Sequence, residues 1–147
     1  MSAKIFPTAQ DAENAFYEAL ERCDLDGMMA VWAEDEDVLC VHPTGGRLTG
    51  QDQVRESWAK LFAAGPRARV RIEQQVAISG MMLAVHSVFE TFSIQGQKAE
   101  AQPLPIVATN VYLRTAAGWR MIVHHASPAP VQAAPVQPKE AAPKFLH

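Results

Sequence analysis

His42 stands immediately before Pro43, at the end of the β-prone run Val38-Leu39-Cys40-Val41. Proline cannot donate to a sheet ladder and biases the residue before it toward extended backbone, so the strand stops there with the imidazole at its rim. A neutral imidazole, with an unperturbed pKa of about 6.5, accepts a proton near neutral pH, which makes His42 the candidate general base. The plainer alternative is a strand-end histidine that bonds local backbone and does nothing else.

Other polar groups sit in apolar surroundings. Asn110 lies amid Ile106, Val107, Ala108, Val111 and Leu113, where a buried carboxamide must find partners, and it is a candidate ligand contact. Along residues 119–127 strand parity puts Trp119, Met121, Val123, His125 and Ser127 on one face. That face is the more apolar, so it is expected to look inward and bring His125 to a pocket, unless a bulge reverses the parity. Trp32 and Trp58 offer aromatic surface for core packing or ligand stacking. His86 and Glu90 share a strand face about 13 Å apart at ~3.3 Å per residue, and solvated or interface positions are expected for both. Cys23 and Cys40 fit no CxxC or Cys/His spacing, so neither a disulfide framework nor a metal site is indicated, and no cofactor is expected.

Three helices must position these groups. Thr8-Ala9-Gln10-Asp11 reads as a cap ahead of Ala12, Ala15, Phe16, Ala19, Leu20 and Cys23 at helical spacing. Asp24-Leu25-Asp26-Gly27 starts a short second helix carrying Met28, Met29 and Trp32. Thr49-Gly50-Gln51-Asp52 opens a third with Val54, Trp58, Leu61 and Phe62 on one face, ended by Gly65-Pro66. Val70, Ile72, Val76 and Ile78 then alternate with other residues as one half-buried strand. A turn at Ser79-Gly80 leads into residues 81–92, and residues 106–115 and 119–127 form a hairpin about Ala116-Ala117-Gly118. Helices at one end of the chain and strands at the other predict an α+β domain, its helices covering one face of a curved sheet.

A length of 147 residues suits one such domain, and 48% apolar with 20% charged residues suits a packed globular chain. A net charge of -3 without a basic cluster sets DNA and RNA aside as partners. No stretch approaches the ~20 apolar residues of a membrane span, and residues 1–7 lack an apolar signal core, so no membrane association and a cytoplasmic location are expected. Residues 1–128 are read as the domain. Residues 129–147, rich in proline and alanine, are read as a flexible tail.

Asp24-Leu25-Asp26-Gly27, Val31-Trp32-Ala33-Glu34-Asp35, Val41-His42-Pro43 and Gly50, in that order, resemble the opening of SnoaL-like proteins of the nuclear-transport-factor-2-like (NTF2-like) superfamily. Gly118-Trp119-Arg120-Met121-Ile122-Val123-His124-His125-Ala126-Ser127 resembles their last strand, and also the association domain of calcium/calmodulin-dependent kinase II. The resemblance implies an NTF2-like cone: three helices against a highly curved, mainly antiparallel sheet, a pocket at the open end, and a homodimer packed through its sheets. It does not imply an activity, because the superfamily spans isomerases, dehydratases, polyketide cyclases, transport factors and oligomerisation domains. In ketosteroid-isomerase-like members a carboxylate base precedes the strand-closing proline, and the matching residue here is His42. Their tyrosine donor matches Phe16, which cannot donate, and their protonated aspartate matches Thr109 or Asn110, so steroid-type isomerisation loses its donor pair. Tyr17 is one residue away, about 100° around the helix.

Two classes of function follow. The first is a small-molecule-binding protein that takes an apolar or amphipathic ligand, with cofactor-independent isomerase, lyase or cyclase chemistry at His42 and a pocket wall drawn from Phe16, Trp32, Trp58, Asn110 and His125. The second is a noncatalytic dimerisation module.

Overall fold

Thr8 supplies the first fixed point of the chain: its hydroxyl oxygen accepts from the Asp11 N–H at 3.0 Å and opens α1 (Ala9–Arg22). Ala12, Phe16 and Ala19, at helical spacing, are buried along its inner face. The helix ends where Cys23 turns left-handed (φ 53°) and the Asp24 N–H bonds back to the Ala19 carbonyl at 3.0 Å. Asp24 caps the next helix, α2 (Leu25–Val31), through the Gly27 N–H. After two short strands comes α3 (Gln51–Ala64), which starts at Gly50 without a side-chain cap and buries Val54 and Trp58. The computed structural model describes residues 4–35, 37–94 and 105–130, so all but the first two residues of the tail expected over 129–147 lie outside the described residues.

Six strands form one sheet: β1 (Leu39–Val41), β2 (Arg47–Thr49), β3 (Ala68–Ser79), β4 (Leu83–Ile94), β5 (Ile106–Thr115) and β6 (Gly118–Pro128). Their order is β2-β1-β6-β5-β4-β3, antiparallel except for the β1/β6 pair. Three helices packed on this curled sheet make the α+β NTF2-like cone expected from the sequence, with the core between the two layers. The β2 strand is an addition: of its residues only Thr49 is read from the sequence, as part of the opening of the third helix.

Two bulges decide which side chains face the core. In β3 the register slips between Glu73 and Val76, with Gln74 at φ 54°. An extra residue reverses side-chain parity. Val70 and Ile72 therefore stay inside while Val76 and Ile78, expected on the same face, become exposed, and Gln75 turns inward. In β6 the slip lies between the pairs Val111–Val123 and Tyr112–Met121, leaving Ile122 as the extra residue. Met121 is buried, but beyond the bulge the inward residues are His124 and Ala126, while His125 is exposed on the outer face. The expectation that His125 looks into the cone is thereby corrected.

The corrected register draws a row of polar side chains across the inner face. Cys40, His124, Asn110 and His86 are directly opposed on β1, β6, β5 and β4. Directly opposed residues share a face with Cβ atoms about 5 Å apart. The row lies under α1.

Candidate active site

Glu13, on the inner face of α1, is 1% exposed and meets this row from above. Its Oε1 accepts from Gln75 Nε2 at 2.6 Å and faces His86 Nδ1 at 3.1 Å; its Oε2 accepts from Tyr112 OH at 2.9 Å and Asn110 Nδ2 at 3.0 Å. One turn further along α1, Tyr17 OH accepts from Asn110 Nδ2 at 3.0 Å and donates to Glu90 Oε2 at 2.5 Å. Asn110 Oδ1 lies 2.6 Å from His124 Nδ1. Buried polar groups demand partners, and this network gives every member at least one.

The network borders a cavity of about 340 Å³ whose wall includes Leu20, His42, Trp58, Phe62, Glu90 and His124. That volume suits a small organic ligand, as does the mix of apolar surface with a few converging polar groups. The His42 ring stands edge-on to Trp58 with centroids 4.6 Å apart, and its Nε2 lies 3.0 Å from Ser57 Oγ. Ser57 spends its hydrogen on the Val54 carbonyl at 2.8 Å, so it accepts from His42 Nε2–H and leaves Nδ1 as the unprotonated nitrogen. Trp58 also lies near His124, with centroids 6.1 Å apart.

Burial sets the protonation states. It raises Glu90 to about 7, with the charge of Glu13 adding and the Tyr17 hydrogen bond opposing. Burial lowers His124 to about 3, helped by His42 and His125, and lowers His42 as well. Burial first, then the charge of Glu90, raises Tyr17 above its ordinary range, which keeps it a hydrogen-bond donor. Cys40 is pushed up to about 12 by burial and is no thiolate nucleophile. The cavity therefore presents two neutral imidazoles and a carboxyl group that exchanges its proton near pH 7. Among the described residues no group of three His, Cys, Asp or Glu side chains can hold a metal ion.

Of the residues singled out in the sequence, His42 and Trp58 meet at this cavity. Asn110 is buried behind its wall and finds the partners its surroundings require. Phe16 is fully buried, packing edge-on against Trp58 and tilted against His124. Trp32 is also fully buried, bridged to Met121 in the core. His86 and Glu90, expected in solvent or at an interface, are 3% and 2% exposed on the inner face. Glu13, Tyr17, Glu90 and His124 are the site residues that sequence reasoning missed. The period-two burial of β4 through Ala84, His86, Val88 and Glu90 comes from the folded sheet, because in the sequence the opposite face with Val85 and Phe89 is no less apolar.

The fold defines the class: an NTF2-like cone protein. More narrowly, the chain belongs to the SnoaL-like domain family, whose sequence profile matches residues 10–132. A protein of Thiobacillus denitrificans, provisionally described as a calcium/calmodulin-dependent protein kinase type II association domain, is 42% identical over 86% of this chain and 99% of its own, with a TM-score of 0.79. A provisionally described dehydratase of the NTF2-like family from Streptomyces avermitilis is 30% identical over 82% of this chain and 92% of its own, with a TM-score of 0.72. An NTF2-like protein of unknown function from Pseudomonas putida shares the fold at 16% identity, covering 91% of this chain and 93% of its own at a TM-score of 0.73. No curated protein matches the chain. No helix among the described residues is long and apolar enough to cross a membrane.

Proposed function

We propose that the cavity binds a small amphipathic molecule and moves a proton on it without a cofactor, in a lyase or isomerase reaction. The observation that carries this reading is Glu90: a carboxyl group with a pKa near 7, on the wall of an apolar cavity that it shares with two neutral imidazoles. As carboxylate, Glu90 takes a proton from carbon beside a carbonyl; as carboxylic acid, it returns that proton elsewhere on the product or to a departing hydroxyl. His124 and His42 hold the ligand's polar groups, and His42 Nδ1 is a second neutral base. Phe16 backs this wall from the core, and Tyr17 supplies the phenol donor that the Phe16 position lacks, though directed at Glu90. The 30% identity to the provisionally described dehydratase supports the lyase form.

The reading includes a homodimer packed through the outer sheet face and a cytoplasmic location. A second reading, a noncatalytic association module, draws support from the 42% identical relative provisionally described as an association domain. Such a module does not require an acid near neutrality on a cavity wall, and Glu90 favours the first reading.

The test is a titration of Glu90 by carboxyl ¹³C NMR, followed by deuterium exchange into a panel of β-hydroxyketones and hydroxylated cyclic enones with the wild type and Glu90→Gln. A midpoint near 7 and exchange lost in the variant are expected. A midpoint near 4.5 rejects the acid–base reading and leaves the association module.

A further inference from the structure

Each hydrogen bond around Asn110 has one consistent direction. Glu13 Oε1 accepts from Gln75 and faces His86 Nδ1, and its Oε2 accepts from Tyr112 and meets Asn110; carboxylate oxygens only accept. The group of Asn110 facing it must therefore be the NH2. The same NH2 lies 3.0 Å from Tyr17 OH, whose own hydrogen is committed to Glu90, so a second contact fixes the same orientation. The carboxamide oxygen then points to His124 Nδ1 at 2.6 Å. An oxygen without hydrogen only accepts, so His124 carries its proton on Nδ1 and keeps a lone pair on Nε2. His124 Nε2 makes no hydrogen bond among the described residues and, unlike the sealed and unpartnered Nε1 atoms of Trp32 and Trp58, is not closed off from the surface, so it opens on the cavity that the ring borders.

We propose that Glu13 is a positioning residue that acts through Asn110 to lock His124 in the Nδ1–H tautomer, giving the cavity a permanent acceptor that selects ligands with a hydroxyl or N–H at that point. The proposal rests on reading the cavity as a ligand site. It assigns a task to a buried carboxylate that touches neither the ligand nor Glu90. A ligand offering a carbonyl oxygen or a carboxylate to Nε2 would meet lone pair with lone pair, so enols, phenols and alcohols are the favoured class. The low pKa of His124, caused first by burial, keeps the ring neutral across the working pH range and so leaves the tautomer as its one variable.

Long-range ¹H–¹⁵N correlation spectra of the full chain labelled with ¹⁵N-histidine read the tautomer directly, without any ligand. In the wild type His124 is expected with Nδ1 protonated and Nε2 unprotonated from pH 5 to 8. In Glu13→Gln the side-chain amide can present its own NH2 to Asn110, which then turns its oxygen away from His124, and most of the His124 signal is expected to move to the Nε2–H form. Asn110→Ala, which removes the acceptor itself, is expected to produce the same shift. A wild-type His124 protonated on Nε2 overturns the proposal, whether or not either variant folds. Retention of the wild-type tautomer in folded Glu13→Gln overturns it as well. An inactive protein with the Nδ1–H tautomer rejects only the catalytic reading; an active one with Nε2–H rejects only this inference.

Discussion

Tyr17 and Glu90, 73 residues apart in sequence, are joined by a 2.5 Å hydrogen bond that ties α1 to β4 beneath the cavity. While Glu90 is ionised, the bond places a donor on its Oε2 and leaves Oε1 without a hydrogen bond among the described residues. It also opposes the upward push of burial on the carboxyl group.

Tyr17→Phe removes that opposition. The Glu90 midpoint is expected to rise further above about 7, and folding stability to fall by about 1–3 kcal/mol as Glu90 and the Asn110 NH2 each lose a partner. Carboxyl ¹³C titration and urea unfolding measure the two effects. An unchanged midpoint would show that the phenol does not govern Glu90.

The pH dependence of stability contains opposing slopes. Glu90 has a folded pKa of about 7 against 4.5, so the folded chain keeps a proton that the unfolded chain has released. Its contribution is complete below about 4.5 and is lost as pH rises to about 7, by roughly 3 kcal/mol at 1.36 kcal/mol per pKa unit. His124 runs the other way: lowered from 6.5 to about 3, it contributes stability above 6.5 that is lost as pH falls through its folded pKa. His42, lowered in the same direction, adds to that side. Glu90→Gln deletes the falling slope, so between pH 4.5 and 6.5 its stability should climb with pH more steeply than the wild type does. Parallel profiles in urea would refute the assignment.

The cone was legible because its signals are local: caps at Thr8 and Asp24, helical spacing from Ala12 to Ala19, and the Ala116-Ala117-Gly118 turn. His42 and Trp58 were legible for the same reason, Pro43 ending the strand and helical spacing orienting the tryptophan. His125 was misplaced because one extra residue at Ile122 reverses parity, and nothing in the run Met121 to Val123 announces it. Glu90 was placed in solvent because charged residues are seldom fully buried, and its partner Tyr17 is brought to it only by the tertiary packing of α1. Tyr17 is visible in the sequence one residue beyond Phe16, but its direction toward Glu90 is set only by the packing of α1 on β4.

Gly118 has φ +97°, and a Cβ there would lie 2.9 Å from both the nitrogen and the oxygen of Phe6. Phe6 bridges to Gly118, and its carbonyl accepts from the Trp119 N–H at 2.9 Å. Gly118→Ala combines left-handed strain with backbone collision and should cost about 2 kcal/mol or more. Gly46→Ala, where the added methyl meets nothing within 4 Å, should stay within about 0.5 kcal/mol. Equal midpoints in chemical denaturation would contradict both.

Val85, Phe89, Val107 and Val111 form a half-buried apolar patch on the outer face of β4 and β5. Such a patch suits a partner sheet, and a second copy of the chain is the expected one. Light scattering at micromolar concentration should give the mass of two chains, and Val111→Arg the mass of one. A wild-type mass of one chain rules the dimer out.

His42→Ala should affect ligand binding more than folding. The ring is half-buried, and its loss removes an edge-on contact with Trp58 and one hydrogen bond to Ser57. Ser57 still donates to the Val54 carbonyl, so no buried hydrogen is orphaned and the stability cost should be about 1 kcal/mol. The cavity, by contrast, loses part of its wall and the lone pair on Nδ1. Affinity for a small amphipathic probe such as 2-naphthol, followed by calorimetry, should fall about tenfold, equivalent to about 1.4 kcal/mol. His125→Ala, exposed on the opposite face of the sheet, should change neither quantity and serves as the control. A His42→Ala protein that loses several kcal/mol of stability while binding the probe as the wild type does would make His42 a structural strand-end residue and remove it from the site.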